Sequence, residues 1–176
     1  MAFIDESGFL MAPLVRRTWA PRGHTPSLYH RTRSHQKVSA IAAIVVSPQG
    51  RRVRLLFRLH KDTNINALLA LEFLNLLKRH IAGRCIVVWD RSRTHKAKIV
   101  HTTIASQSKL LLEDFPPYAP ELNPVEYVWG YLKNTGMANN APTEVDVLAH
   151  ETRRYARGIQ MKPVLLRAFL RRSSLF

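Results

Sequence analysis

Acidic residues are scarce in this chain. Twelve Asp and Glu stand against 27 Lys and Arg in 176 residues, a formal net charge of +15 at pH 7. Such an excess points to a polyanionic partner, with nucleic acid ahead of an anionic membrane surface or a ribosome-like setting. Long apolar runs are missing too: none approaches the roughly 18 residues that a membrane span needs. The opening Met-Ala-Phe-Ile-Asp has no basic leader before an apolar stretch and does not read as a signal peptide. The single cysteine, Cys85, excludes an internal disulfide and fits a reducing compartment. It stands in an apolar run and reads as a small core residue. The eight histidines form no Cys/His cluster with zinc spacing. Internal repeats, low-complexity segments and linkers are also absent, so one domain over residues 1–176 is expected. A hydrophobic fraction of 46% and this length suffice for one sizeable core.

What is present has a clear periodic order. Residues 1–5 read as a short apolar strand ending on an acid, and Arg16 to Arg33 as irregular hairpin and loop. Val38 to Val46 is almost unbroken in apolar residues, which suits a central strand covered on both faces. Pro48-Gln-Gly50 supplies a turn. Val53, Leu55 and Phe57 then alternate with Arg52, Arg54 and Arg58, the period of a half-exposed antiparallel strand with a row of arginines outside. Ile65, Leu68, Leu69, Phe73, Leu76 and Leu77 fall at helical spacing, with Asp62, Thr63 and Asn64 as candidate caps. Cys85 to Trp89 is a second buried-strand run, Lys96 to Ser106 a helix, and Leu110 to Leu112 a short third buried strand. A helix from Pro124 to about Thr135 follows, with Gly136 as its stop. The stretch from Thr143 to Leu170 is helical in character and rich in Arg. Strands first, then helices alternating with buried strands, predict an α/β fold: a mixed sheet with helices on its faces.

Two acids close buried strands in this reading, Asp5 after Phe3-Ile4 and Asp90 after Val87-Val88-Trp89. Functional groups of open α/β sheets gather at such ends. Carboxylates beside an apolar core need a compensating charge, from a hard divalent cation or from one of the many arginines. Glu126 has a structural alternative of its own. Asn123-Pro124-Val125-Glu126 is a helix start with Asn as N-cap, Pro at N1 and Glu at N3, so Glu126 on spacing alone closes a capping box.

Longer motifs change that weighing. The stretch from Phe115 to Lys133, FPPYAPELNPVEYVWGYLK, closely resembles the third catalytic block of the mariner-related bacterial insertion-sequence transposases, with Phe115 in place of the usual Leu. FIDESGF at Phe3–Phe9 resembles the first block of that family and RTWAPRGHTP at Arg17–Pro26 the stretch after it. VVWDRSRTHKA at Val87–Ala97 resembles the second block, with Arg91 where the family usually has Asn. Four blocks in order cover most of residues 3–133.

The resemblance implies a ribonuclease H-like fold and an acidic triad falling on Asp5, Asp90 and Glu126. Thirty-five residues separate the last two, close to the family's usual spacing. It also implies transposition chemistry, DNA strand cleavage and strand transfer, with Mg²⁺ or Mn²⁺, two ions about 4 Å apart, as cofactor. Asp5 would bridge the ions, while Asp90 and Glu126 would each complete one site. His95, five positions beyond Asp90, would position DNA or a metal-bound water, or else cap the following helix. Lys133, two turns from Glu126, would reach a phosphate. Arg16, Arg17, Arg22, Arg31, Arg33, Arg52 and Arg54 read collectively as phosphate contacts, which give affinity without sequence reading. Glu6 adjoins Asp5 but faces the other side of a strand. Partners implied are transposon-end and target DNA and a second copy of the chain. Full-length relatives carry helix-turn-helix modules upstream that these 176 residues do not contain, so a separately encoded polypeptide or loss of the module is expected. Localisation would be the bacterial cytoplasm, at the nucleoid. Rival readings are another ribonuclease H-like nuclease and a basic DNA-binding remnant without turnover.

Overall fold

Apolar residues at strand period and then at helix period sort into a mixed sheet with helices on both faces. The computed structural model describes residues 1–29, 35–90, 109–173 and 175. Its elements in chain order are β1 (Ala2–Leu10), β2 (Lys37–Val46), β3 (Val53–Lys61), α1 (Ala67–His80), β4 (Cys85–Trp89), β5 (Leu110–Asp114), α2 (Pro124–Tyr131), α3 (Val145–Gln160) and α4 (Pro163–Arg172). The strands lie in the order β3-β2-β1-β4-β5. β1, β2 and β3 pair antiparallel, whereas β4 and β5 run parallel to β1.

β2 is buried along nearly its whole length, as a run of Val, Ile and Ala without polar alternation requires. Its even side chains, with Phe3 and Phe9 of β1, pack against α2, α3 and α4. Its odd ones, with Ala2 and Ile4, pack against Ala70, Phe73, Leu74 and Leu77 of α1 and against Val87 and Trp89 of β4. Strand period thus separates two cores across one sheet. Cys85 is a buried free thiol in the second of them, as its apolar setting predicts. The stretch 16–29 carries no helix or strand, in line with its composition. The expected helix at Lys96 to Ser106 lies outside the described residues.

Several local expectations are corrected. β1 does not end on Asp5 but continues to Leu10, because antiparallel β2 offers partners out to Lys37. The outer face of β3 is not a bare row of arginines. α1 covers that side: Arg58 pairs with Glu72 at 3.1 Å, and the Arg54 guanidinium donates to the His80 carbonyl at 2.7 Å. β5 is an edge strand, with Leu111 exposed rather than buried. The cap of α1 is Asn66, whose side chain accepts from the Leu69 amide, rather than Asp62, Thr63 or Asn64. The Arg-rich stretch is helical as expected, but in two helices, broken where Pro163 cannot continue the first.

Gly136 ends the helical segment after a wider π-type turn, Leu132–Gly136, but not by adopting a left-handed conformation. A methyl group on it would stand 2.6 Å from Cγ of Tyr155 on α3. Close approach, not backbone freedom, calls for glycine there.

Candidate active site

β1 and β4 pair in parallel only at Ala2↔Val87 and Phe3↔Val88. Extending that register by two residues sets Asp5 level with Asp90. Asp5 is therefore inside its own strand yet just past the end of its parallel neighbour, where a cleft opens between diverging strands. β5 ends beside it, and the Phe115 amide donates to the Trp89 carbonyl at 2.9 Å. The chain then turns through Pro116 to Asn123 and starts α2 against β1.

Asn123 is the hinge of that return. Its side-chain oxygen accepts from the Val125 amide at 3.1 Å, capping the helix, and its side-chain amide donates to the Ile4 carbonyl at 3.1 Å. One buried side chain thus ties the helix start to the residue preceding Asp5. One turn further on, the Trp129 indole N–H donates to Asp5 Oδ2 at 2.9 Å. Glu126 lies between these two ties on the same helix. The capping-box role for Glu126 is not realised: the Asn123 amide it would need already donates to the Pro120 carbonyl at 3.0 Å.

Asp5, Asp90 and Glu126 line one cavity of about 580 Å³, walled by the stretch Phe115–Pro120 and by Asn123. Asp5 is buried, at 8% exposure, whereas Asp90 and Glu126 are exposed to the cavity mouth. Burial first, then the nearby Glu126 carboxylate, push the Asp5 carboxyl up from its ordinary 3.8 to about 8. Glu6 adds to the rise through its charge, and the Trp129 indole and a backbone bond at Glu6 offset only part of it. A site that raises a carboxyl this far favours whatever positive charge enters it. Three carboxylates and no sulfur or imidazole among these lining groups make a hard oxygen donor set, suited to Mg²⁺ or Mn²⁺. Among the described residues no three His, Cys, Asp or Glu side chains are already gathered as a metal-holding group. An entering ion would have to draw the two exposed acids inward.

The other candidates separate. Lys133 does not line this cavity; its Nζ donates to Ser7 Oγ at 2.7 Å and stands 5.6 Å from the Phe9 ring centre, beside a second cavity of about 370 Å³. Arg16 bonds to Asn134 and, through its backbone amide, to Asn139 at 2.8 Å, so it is fixed near the end of α2. Arg17 is beside it, and Arg22 is exposed in the following loop. Arg52 and Arg54 lie at the opposite end of the sheet, by the β2–β3 turn. His95, Arg31, Arg33 and Arg91 lie outside the described residues. Glu6 falls on the strand face away from Asp5, as alternation predicts.

Sequence reading missed three residues at this site. Asn123 reads as a cap but not as a tie to β1, and the motif string alone gives Trp129 no polar role; both contacts join positions more than a hundred residues apart. Tyr118 stands fully exposed on the cavity wall with φ +58°, a conformation rare outside glycine. Nothing local in Pro-Pro-Tyr announces that.

No helix among the described residues is long and apolar enough to cross a membrane. Among curated proteins, none matches the sequence. Among solved structures, the Mos1 transposase paired-end complex with left transposon end aligns with a TM-score of 0.65 and 18% identity, over 99% of this chain and 55% of that one. The mariner Mos1 paired-end complex with Mg gives 0.67 and 16%, over 98% of this chain and 53% of that one. The catalytic domain of Mos1 mariner transposase gives 0.58 and 16%, over 99% and 82%. The chain thus spans about half the length of the longer Mos1 chains it matches. At such identities the likeness establishes the fold, which is ribonuclease H-like. The family model of DDE superfamily endonucleases matches residues 1–148, most of the chain, and the chain belongs to that family.

Proposed function

We propose that this chain is the catalytic part of a DNA transposase, cutting DNA strands and joining them to a target with Asp5, Asp90 and Glu126 as the metal-holding acids. The observation that carries the reading is the buried Asp5 carboxylate, set against the negative charge of Glu126 on the wall it shares with Asp90. Two divalent ions, when bound, supply Lewis acidity at the attacking and leaving oxygens of an in-line phosphodiester displacement.

The chain's own residues do the rest. Asp5, set in mid-strand and held by Trp129, would offer a fixed anchor oxygen, and Asp90 and Glu126 would hold the ions with it from the β4 end and the α2 start. The Asp5 carboxyl, which keeps its proton up to about pH 8, would have to give that proton up in order to hold an ion. The Phe115–Pro120 wall, with two consecutive prolines, keeps the cleft open at low entropic cost to the fold. Arg16 and Arg17, near the end of α2, and Arg22 in the loop after them would hold the phosphate backbone, and His95 and Lys133 would add positioning contacts. By the family resemblance the chain would work as a homodimer on paired DNA ends, with end recognition from a helix-turn-helix module.

The test is a nicking assay on duplex DNA with Mg²⁺ or Mn²⁺. The unaltered chain should nick, and Asp90→Asn should abolish nicking while DNA binding persists. Equal nicking by both would overturn the assignment. Joining of a pre-cut end to a second duplex separates a transposase from a nuclease that only hydrolyses.

A further inference from the structure

We infer that the end of the sheet remote from the three carboxylates is a second DNA face, which binds the phosphodiester backbone of a duplex and takes no part in cutting. Only the identity of the polyanion rests on the proposed DNA-processing role. Acidic side chains gather at one end of the strands. Asp62 follows β3, Asp90 follows β4, Asp114 ends β5 and Asp146 lies in the first turn of α3, all at the carboxylate end. The opposite end is formed by segments 46–56, 80–87 and 157–167. Together they hold seven Lys and Arg and not one Asp or Glu.

These segments are one surface because named bonds join them. The β2–β3 turn closes through the Ser47 amide on the Arg52 carbonyl at 2.9 Å. Arg167 of α4 donates to the Arg51 carbonyl at 2.8 Å, and Gln160 at the end of α3 donates to the Leu55 carbonyl at 2.7 Å. Arg54 bridges to the end of α1 at the His80 carbonyl. Carbonyl bonds orient a guanidinium but leave its charge uncompensated. A cleft of about 400 Å³ opens at this end, with Arg52, Arg54 and Arg84 on its wall and no acid among the lining residues. Arg51, Arg52, Arg54, Arg84, Lys162 and Arg167 are all exposed.

Such a cluster, held together without an acid, is costly in self-repulsion unless a polyanion covers it. Duplex DNA offers a phosphate every 1.7 Å or so along its axis, enough to meet several of these cations at once. The distance from the start of β4 to Asp90 is roughly 17 Å at about 3.3 Å per residue, so the two faces lie at opposite ends of the sheet. A straight duplex lying on this end therefore does not enter the carboxylate cleft. The chain would grip two DNA segments, one for chemistry and one for retention.

The side chains of Arg52, Arg84, Arg157 and Lys162 have no hydrogen bond or ion pair to the described residues, so replacing them breaks none of the bonds described above. The test uses the full chain carrying Arg52→Gln, Arg84→Gln, Arg157→Gln and Lys162→Gln together, and measures metal-free binding to a random-sequence duplex from low to physiological salt. The plot of log affinity against log salt should lose about 0.9 in slope per phosphate contact removed, a drop of about 3 to 4. Mn²⁺ binding should not change, and Arg52→Lys, Arg84→Lys and Arg157→Lys together, with Lys162 kept, should leave the slope of the unaltered chain. An unaltered slope in the Gln set, or a slope lost in the Lys set, would overturn the inference. So would loss of binding to anionic lipid vesicles with DNA binding intact, which would make the face a membrane contact. If the unaltered chain itself shows no salt-dependent DNA binding, the proposed function fails with it; nicking without a slope change fails this inference alone.

Discussion

The indole N–H of Trp129 donates to the carboxylate of Asp5 at 2.9 Å, a buried bond between residues 124 positions apart. With the Asn123 bond to the Ile4 carbonyl, it makes α2 a support for β1 as well as the carrier of Glu126. Trp129 also packs edge-on against Phe9, with ring centres 6.1 Å apart, so its indole is held at both ends. An acid with one oxygen occupied by a fixed donor presents the other in a set direction, which is what an ion-binding anchor requires.

Trp129→Phe removes the donor and keeps an aromatic ring. Apparent Mn²⁺ affinity, read from the free-ion signal in electron paramagnetic resonance, should fall about 10- to 100-fold, the usual cost of losing a bond that orients a ligand. Stability in urea should fall by about 1–3 kcal/mol. Unchanged affinity in the folded variant would show that Asp5 needs no orienting bond.

In metal-free protein the raised Asp5 pKa makes the folded state keep a proton that the unfolded chain has lost. Between about pH 4 and pH 8 the unfolded state binds fewer protons, so this group's contribution to stability falls as pH rises and levels off above about pH 8. Asp5→Asn removes the buried charge while its side-chain oxygen still accepts from Trp129. It should match the unaltered chain near pH 4 and exceed it at pH 8.5 by a few kcal/mol, on the order expected from burying a carboxylate. Denaturant unfolding across that range measures the difference. A constant offset between the two proteins at every pH would contradict this direction of change.

Gly136→Ala puts a methyl group 2.6 Å from the Tyr155 ring, at an atom close to the backbone and unable to swing clear. The substitution should destabilise by about 1–3 kcal/mol, the cost of forcing an overpacked contact to shift. Because φ at this residue is not positive, pairing it with Tyr155→Ala should recover most of the overpacking loss, net of the cavity created. Thermal denaturation of the single and double variants checks both parts, and no recovery in the pair would point to a backbone cause.

Much of the architecture was legible because it follows from periodicity. The unbroken apolar run of β2, the strand ending on Asp90 and the helix starting at Asn123 all stand where pattern places them. Asp5 was legible as an acid beside a core but not as a mid-strand residue, since the length of β1 beyond it is set by pairing with Lys37 to Ile41 of β2, remote in sequence. Glu126 looked like a cap on spacing, and only the Phe115–Lys133 motif set it beside the other acids; the bond from the Asn123 amide to Pro120 is what leaves its carboxylate out of a capping box. The split of the arginines into two ends was not legible at all. Charge counts carry no direction, and Arg16 and Arg52 part company only when the sheet order is known.

The most direct measurement is an anomalous difference map from crystals of the unaltered chain soaked in Mn²⁺. A metal-holding triad predicts a peak in the cleft between Asp5, Asp90 and Glu126, with carboxylate oxygens of Asp5 and at least one of the other two bound to it. That peak should vanish in Asp5→Asn. A map with no peak there at millimolar Mn²⁺, or with the ion held elsewhere while DNA is still nicked, would contradict it.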